Sequence, residues 1–162
     1  MFVNFENLDG AARVWIYQSN REFSENEVKN ISLKLKDFVE NWQRHGDDLK
    51  ASFCIKYNHF IVLAVDETFQ NVSGCSIDAS VNFIKNIETE FSVDLTNKLN
   101  ISFKDAANIN VVPMADFQKY AKLEKINSNT IVFNNMIQTK SEFESTWEVP
   151  ANKSWHKRFL IS

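Results

Sequence analysis

The chain has 162 residues, 44% of them hydrophobic, with fourteen Phe and four Trp; that is the size of one ordinary domain, with enough apolar surface to fold without a disulfide or metal staple. Its formal net charge of −3 comes from acidic and basic residues interleaved along the chain, which removes the broad basic footprint of a nucleic-acid binder. Two cysteines, Cys54 and Cys75, make neither a disulfide framework nor a CxxC pair for zinc or redox chemistry.

Residues 1–7 lack the basic and apolar stretches of a secretory signal, and the longest apolar run, residues 60–65, is far too short to cross a bilayer. A cytoplasmic protein with no membrane partner is the expectation. After Asp9 and Gly10, residues 13–19 read as a strand, rich in β-branched and aromatic side chains. Ser24 and Glu27 then have the spacing of a capping box. Val28, Ile31, Leu35, Phe38 and Trp42 follow at three- and four-residue steps, which places them on one helical face. Arg44, His45 and Gly46 read as the end of that helix, with Gly46 free to take the left-handed conformation.

Residues 49–57 and 59–65 predict a pair of strands reversing at Asn58. In the first, Ala51, Phe53, Ile55 and Tyr57 alternate with Ser52, Cys54 and Lys56; the second is apolar on both faces and should be central. A polar loop over 66–76 leads to a second helix from about 77 to 91, striped by Ile77, Val81, Ile84, Ile87 and Phe91 and capped by Ser76. Residues 99–104 make a fourth strand. Residues 109–112 can pair with it through a turn at 105–108, Pro113 opens a helix over 114–122, and 130–133 is a short strand. Residues 141–147 and 151–159 read as short helices separated by Pro150.

The order strand, helix, strand, strand, helix, strand is the split βαβ pattern of ferredoxin-like folds, an antiparallel sheet with two helices on one face. The expectation is one α+β domain over 1–162, with a core at about 13–104 and a C-terminal α/β elaboration at about 105–162.

Much chemistry is excluded. Gly10, Gly46 and Gly74 are too scattered for a P-loop or a GxGxxG turn. GxSxG and HExxH are absent as well. A three-His metal site would need every His in the chain, His45, His59 and His156, so no metal and no cofactor is expected.

The split βαβ topology brings residues 44–48, 66–68 and 74–78 to one end of the sheet, and the candidate ligand-binding residues lie there: His45, Asp66, Glu67, Cys75, Ser76 and Asp78. The start of the second helix suits an anion, and the same field suits a thiolate at Cys75. His45 can act as a cation or a base, and the carboxylates are oxygen ligands for a hard cation. Each also has a structural reading. Ser76 is a cap, Asp78 complements the dipole, His45 caps the last carbonyls, Cys75 packs as a small residue, and Asp66 and Glu67 are solvated.

Residues 46–52 (Gly-Asp-Asp-Leu-Lys-Ala-Ser), 64–67 (Ala-Val-Asp-Glu), 73–78 (Ser-Gly-Cys-Ser-Ile-Asp) and 132–135 (Val-Phe-Asn-Asn) resemble segments of a group of uncharacterised bacterial proteins of about 160 residues. So do 147–150 (Trp-Glu-Val-Pro) with Ser154 and Trp155. The resemblance spans most of the chain, and the group often carries the automatic label "ABC transporter ATPase". The residues here do not support an ATPase: neither Walker motif is present.

Three functions follow for comparison. The first is a non-catalytic binding or interaction module, as a homodimer for example, using Trp15 and Tyr17 on a sheet face that helices leave open. The alternative is an enzyme or small-ligand binder at the His45, Asp66/Glu67 and Cys75–Asp78 end. Single-stranded nucleic-acid binding ranks last, because the balance is acidic and the one basic cluster, residues 153–158, reads as a solvated helix face.

Overall fold

Ser24 accepts the Glu27 amide at 3.1 Å while Glu27 Oε1 accepts the Ser24 amide at 2.9 Å, so the capping box closes as its spacing predicts. This computed structural model describes residues 1–68 and 71–161. Along them run β1 (Arg13–Gln18), α1 (Glu25–Glu40), β2 (Gln43–Arg44), β3 (Asp47–Asp48), β4 (Ala51–Lys56), β5 (Phe60–Val65) and α2 (Gly74–Phe91). There follow β6 (Asn100–Asp105), β7 (Asn108–Pro113), α3 (Met114–Lys122), β8 (Ile131–Phe133), α4 (Lys140–Thr146) and β9 (Glu148–Pro150). Short 3-10 turns lie at Phe5–Asn7, Ala151–Lys153 and Trp155–Phe159. The fold is α+β with antiparallel sheets. No helix among the described residues is long and apolar enough to cross a membrane.

The chain divides into two compact units, residues 1–96 with 138–141, and residues 97–137 with 142–162. In the first, the strand order is β1-β5-β4, all antiparallel. β5 is central and buried throughout, as its apolar run requires. One face of this sheet, with Trp15, Tyr17, Phe53, Ile61, Leu63 and Val65, packs against Ile31, Leu35 and Val39 of α1 and Ile84 and Ile87 of α2. Lys56, Tyr57, Asn58 and His59 reverse the chain between β4 and β5. Tyr57 and Asn58 both take positive φ, and the His59 amide donates to Lys56 O at 3.0 Å, a type I′ geometry.

Five expectations need correction. The aromatic face of β1 is not open. Trp15 lies 5.9 Å from Trp42, and both Trp15 and Tyr17 pack in the helix-covered core, so neither a dimer face nor a base-stacking platform exists there. α1 ends at Glu40 rather than at Gly46, and residues 43–48 fold back as the β2–β3 hairpin. His45 (φ 51°) and Gly46 (φ 87°) form its two-residue loop, both left-handed as a type I′ hairpin demands. α2 starts at Gly74 under Ser73 as N-cap, not at 77 under Ser76. The loop expected over 66–76 is described except at 69 and 70.

The fourth correction concerns the last strand of the expected core. β6 pairs with β7 and β8 in a second sheet of order β7-β6-β8-β9. The reason is local: β7 follows β6 after a short turn, and the two pair in register from Asn100↔Pro113 to Asp105↔Asn108, a closure of low entropic cost. Ile101 and Phe103 then bury with Phe117 of α3, Ile126, Val132 and Val149. The boundary accordingly falls after Thr96, not after 104. The helix expected over 151–159 is two 3-10 turns, divided at Ser154, whose backbone is extended (φ −132°, ψ 169°).

Candidate functional site

The N-terminus of α2 is where the sequence places its candidate residues, and three segments of the first unit do meet there. Ser76 Oγ donates to Gln43 O at 2.9 Å, and Trp42 Nε1 donates to Ser76 O at 2.9 Å. These bonds fix the β2–β3 hairpin to the first turn of α2. Arg44 Nη1 donates to Asn71 O at 3.3 Å, and Glu67 Oε1 accepts the Val72 amide at 3.4 Å, so the loop after β5 joins the same end.

Most of the polar groups brought together are occupied by one another. Ser76 is buried at 1% exposure, and besides its bond to Gln43 it lies 3.0 Å from Ser73 Oγ, which also accepts its amide. Asp66, 4% exposed, accepts the Thr68 hydroxyl at 2.5 Å and the Thr68 amide at 3.0 Å, and Lys50 Nζ lies 3.4 Å away. The Thr68 hydrogen bonds, opposed by burial and helped by Lys50, hold its carboxyl below the usual range. This is an Asx-type turn that ends β5. Glu67 faces Arg13 at 3.9 Å besides taking the Val72 amide.

His45, Cys75 and Asp78 are exposed. Among the described residues no group of three or more His, Cys, Asp or Glu converges as a metal ion requires. Two features at this end are left without an internal partner among the described residues. Ser73 takes the Ser76 amide, which leaves the first-turn amides of Gly74 and Cys75 without an intrahelical acceptor. Arg44 Nε is buried and has no hydrogen-bond partner among the described residues.

A second feature, which the sequence did not reveal, is a groove of about 530 Å³ between α1 and α2. Phe38 and Phe83 stack at 4.5 Å and 15° within it, and Ile87 adds to the apolar lining. Lys34 and Glu90 pair at 3.2 Å from opposite helices, with Asp37, Asn41 and Asn86 completing the lining. Helical spacing could have found it: Phe38 and Phe83 sit at the edge of each apolar stripe rather than at its centre, where residues are left half-covered.

The third is a buried polar pair in the second unit. Ser154 Oγ and His156 Nδ1 are 2.7 Å apart, and the imidazole, 1% exposed, stacks on Trp155 at 4.0 Å and lies 5.7 Å from Phe117. Burial pushes the His156 pKa down to about 4, so the ring is neutral at pH 7. His59 is also lowered by burial, and its Nδ1 bonds Ser19 O at 3.1 Å. Cys54 is likewise inert, its thiol pushed up to about 12 by burial.

Comparison of the chain with family models, with curated proteins and with solved structures finds no match in any of the three.

Proposed function

We propose that this protein is a non-catalytic interaction module whose contact surface is the α1–α2 groove of its first unit, with a second copy of the chain as its partner. One observation carries the reading. The stacked Phe38 and Phe83 rings and Ile87 line an open groove whose rims carry both signs of charge, Lys34 against Asp37 and Glu90. A face bearing both signs is complementary to itself under a two-fold axis, and aromatic side chains are the usual anchors of such contacts. By contrast, Asp66, Glu67 and Ser76 already have internal partners. The strand order β1-β5-β4, with α1 and α2 packed on one face, supports reading this unit as a split βαβ arrangement that lacks its fourth strand.

An interface centred on one groove sits at the small end of specific contacts, so micromolar or weaker self-association is expected. Sedimentation velocity over a broad concentration range tests it. The wild-type coefficient should rise with concentration, and that of Phe83→Glu should not. A wild-type chain that stays monomeric throughout overturns the homodimer.

The other end of the first unit supports a second reading, an anion site at α2. Its supporting observation is the buried Arg44 Nε, without a partner among the described residues, on the hairpin that bonds the first turn of α2, where the Gly74 and Cys75 amides have no intrahelical acceptor. Inorganic phosphate should then raise the melting temperature of the wild type and leave that of Arg44→Gln unchanged. No shift in the wild type removes the reading.

A further inference from the structure

The overall charge of −3 conceals an uneven distribution. The first unit contains ten Lys/Arg and fifteen Asp/Glu, for a net −5; the second contains eight and six, for a net +2. Within the second unit the cations gather on α3, the loop after it and the C-terminal 3-10 turns. Lys119, Lys122, Lys125, Lys153, Lys157 and Arg158 are all exposed, and none forms an ion pair among the described residues.

The fold brings their segments together. The Ala151 amide donates to Thr130 O at 2.8 Å and the Asn152 amide to Ser128 O at 3.2 Å, which seats the first of these 3-10 turns against the loop after α3. Phe117 of α3 lies 5.7 Å from both His156 and Phe159, which seats the second against α3 itself. Two carboxylates, Asp116 and Glu124, lie on the same segments.

Aromatic side chains interleave with these charges. Tyr120, Trp155 and Phe159 are half-buried, and the Arg158 guanidinium lies 5.7 Å from the centre of the Trp155 ring. We infer that this surface of the second unit binds the phosphate backbone of a single-stranded nucleic acid, with the rim aromatics available to the bases. Cations alone would serve any polyanion. Cations interleaved with aromatics are what a single strand uses, because every base has a stacking face.

The test is fluorescence anisotropy of a labelled oligouridylate of about 20 nucleotides, a length that exceeds common single-strand site sizes. If about four of the cations meet phosphates, raising salt from about 50 to about 200 mM should weaken binding about 50-fold. The double variant Lys153→Gln/Lys157→Gln, at exposed positions, should roughly halve the slope of log affinity against log salt. Lys29→Gln/Lys85→Gln, equal in charge change but in the first unit, should leave it unaltered, and circular dichroism confirms that both variants are folded. No binding at low salt, or equal loss in the two variants, overturns the proposal. Equally strong competition by polyglutamate overturns the nucleic-acid identity of the partner.

Discussion

Arg21 and Lys157 are both exposed cations beside aromatic-rich cores, and the two units use them differently. Arg21 holds both Glu27 oxygens at 2.8 Å and reaches Phe91 O at 2.7 Å, so one side chain ties the start of α1 to the end of α2. Its hydrogen bonds, with that of the Ser24 amide, bring the Glu27 pKa down to about 2. Lys157 meets no carboxylate among the described residues. In the first unit Asp66, Glu67 and Ser76 hold the chain in place, and the surface proposed for a partner is the apolar-lined groove. In the second unit the cations of α3, the loop after it and the C-terminal turns form no ion pair among the described residues, and the surface they make is charged.

The largest expected effect challenges the structural half of that comparison. Trp42→Ala removes a side chain at 2% exposure, its contacts with Trp15 and Phe38, and the bond to Ser76 O. It should cost about 3–5 kcal/mol in urea denaturation. A cost below about 1 kcal/mol means that the hairpin is not anchored to α2 as described.

Acid should act on the second unit through His156. The folded ring stays neutral to about pH 4, whereas an unfolded His takes up its proton near pH 6.5. Stability from this site is therefore complete above about pH 6.5 and lost as pH falls toward about 4, on the order of 3 kcal/mol. His59 shifts in the same direction, so the comparison of wild type with His156→Gln isolates the effect; the variant's urea midpoint should fall less steeply across that window. Below it the first unit follows. Glu27, held at about 2 in the fold, loses its contribution between about pH 4.5 and 2.

A smaller effect separates a structural Ser76 from a ligand-binding one. Ser76→Ala removes the buried hydroxyl that donates to Gln43 O and should cost about 1 kcal/mol. The smallest belongs to the exposed candidates: Cys75→Ser and Asp78→Asn should each change stability by less than about 0.5 kcal/mol. A larger change in either would show that the α2 end depends on residues which appear here only at the surface.

What the sequence made legible was what local chemistry determines. The Ser24–Glu27 spacing is sufficient for a capping box, and the apolar run of β5 is sufficient for a central strand. The β6–β7 hairpin and the start of α3 after Pro113 were equally local. The hairpin at 43–48 was missed because His45-Gly46 lacks the Asn-Gly or Asp-Gly signal of a type I′ turn and Gly46 also fits a helix end. The sheet that β6 joins was not legible, since strand partners are set by packing far along the chain. At the candidate site the sequence expects residues 44–48, 66–68 and 74–78 at one end; hydrogen bonds link Gln43 to Ser76, Arg44 to Asn71 and Glu67 to Val72 there, while the roles within it were not legible. Ser73 and Ser76 both fit a cap by spacing, and only the burial of Ser76 against Gln43 and Trp42 separates them.

The most direct measurement of the proposed contact is a dilution series followed by amide NMR. As concentration rises, the resonances of Lys34, Asp37, Asn41, Asn86 and Glu90, which line the groove, should shift together, while those of residues 44–48 and 74–78 stay fixed. Shifts confined to residues 44–48 and 74–78, or no concentration dependence in wild type, would contradict the α1–α2 groove as the contact surface.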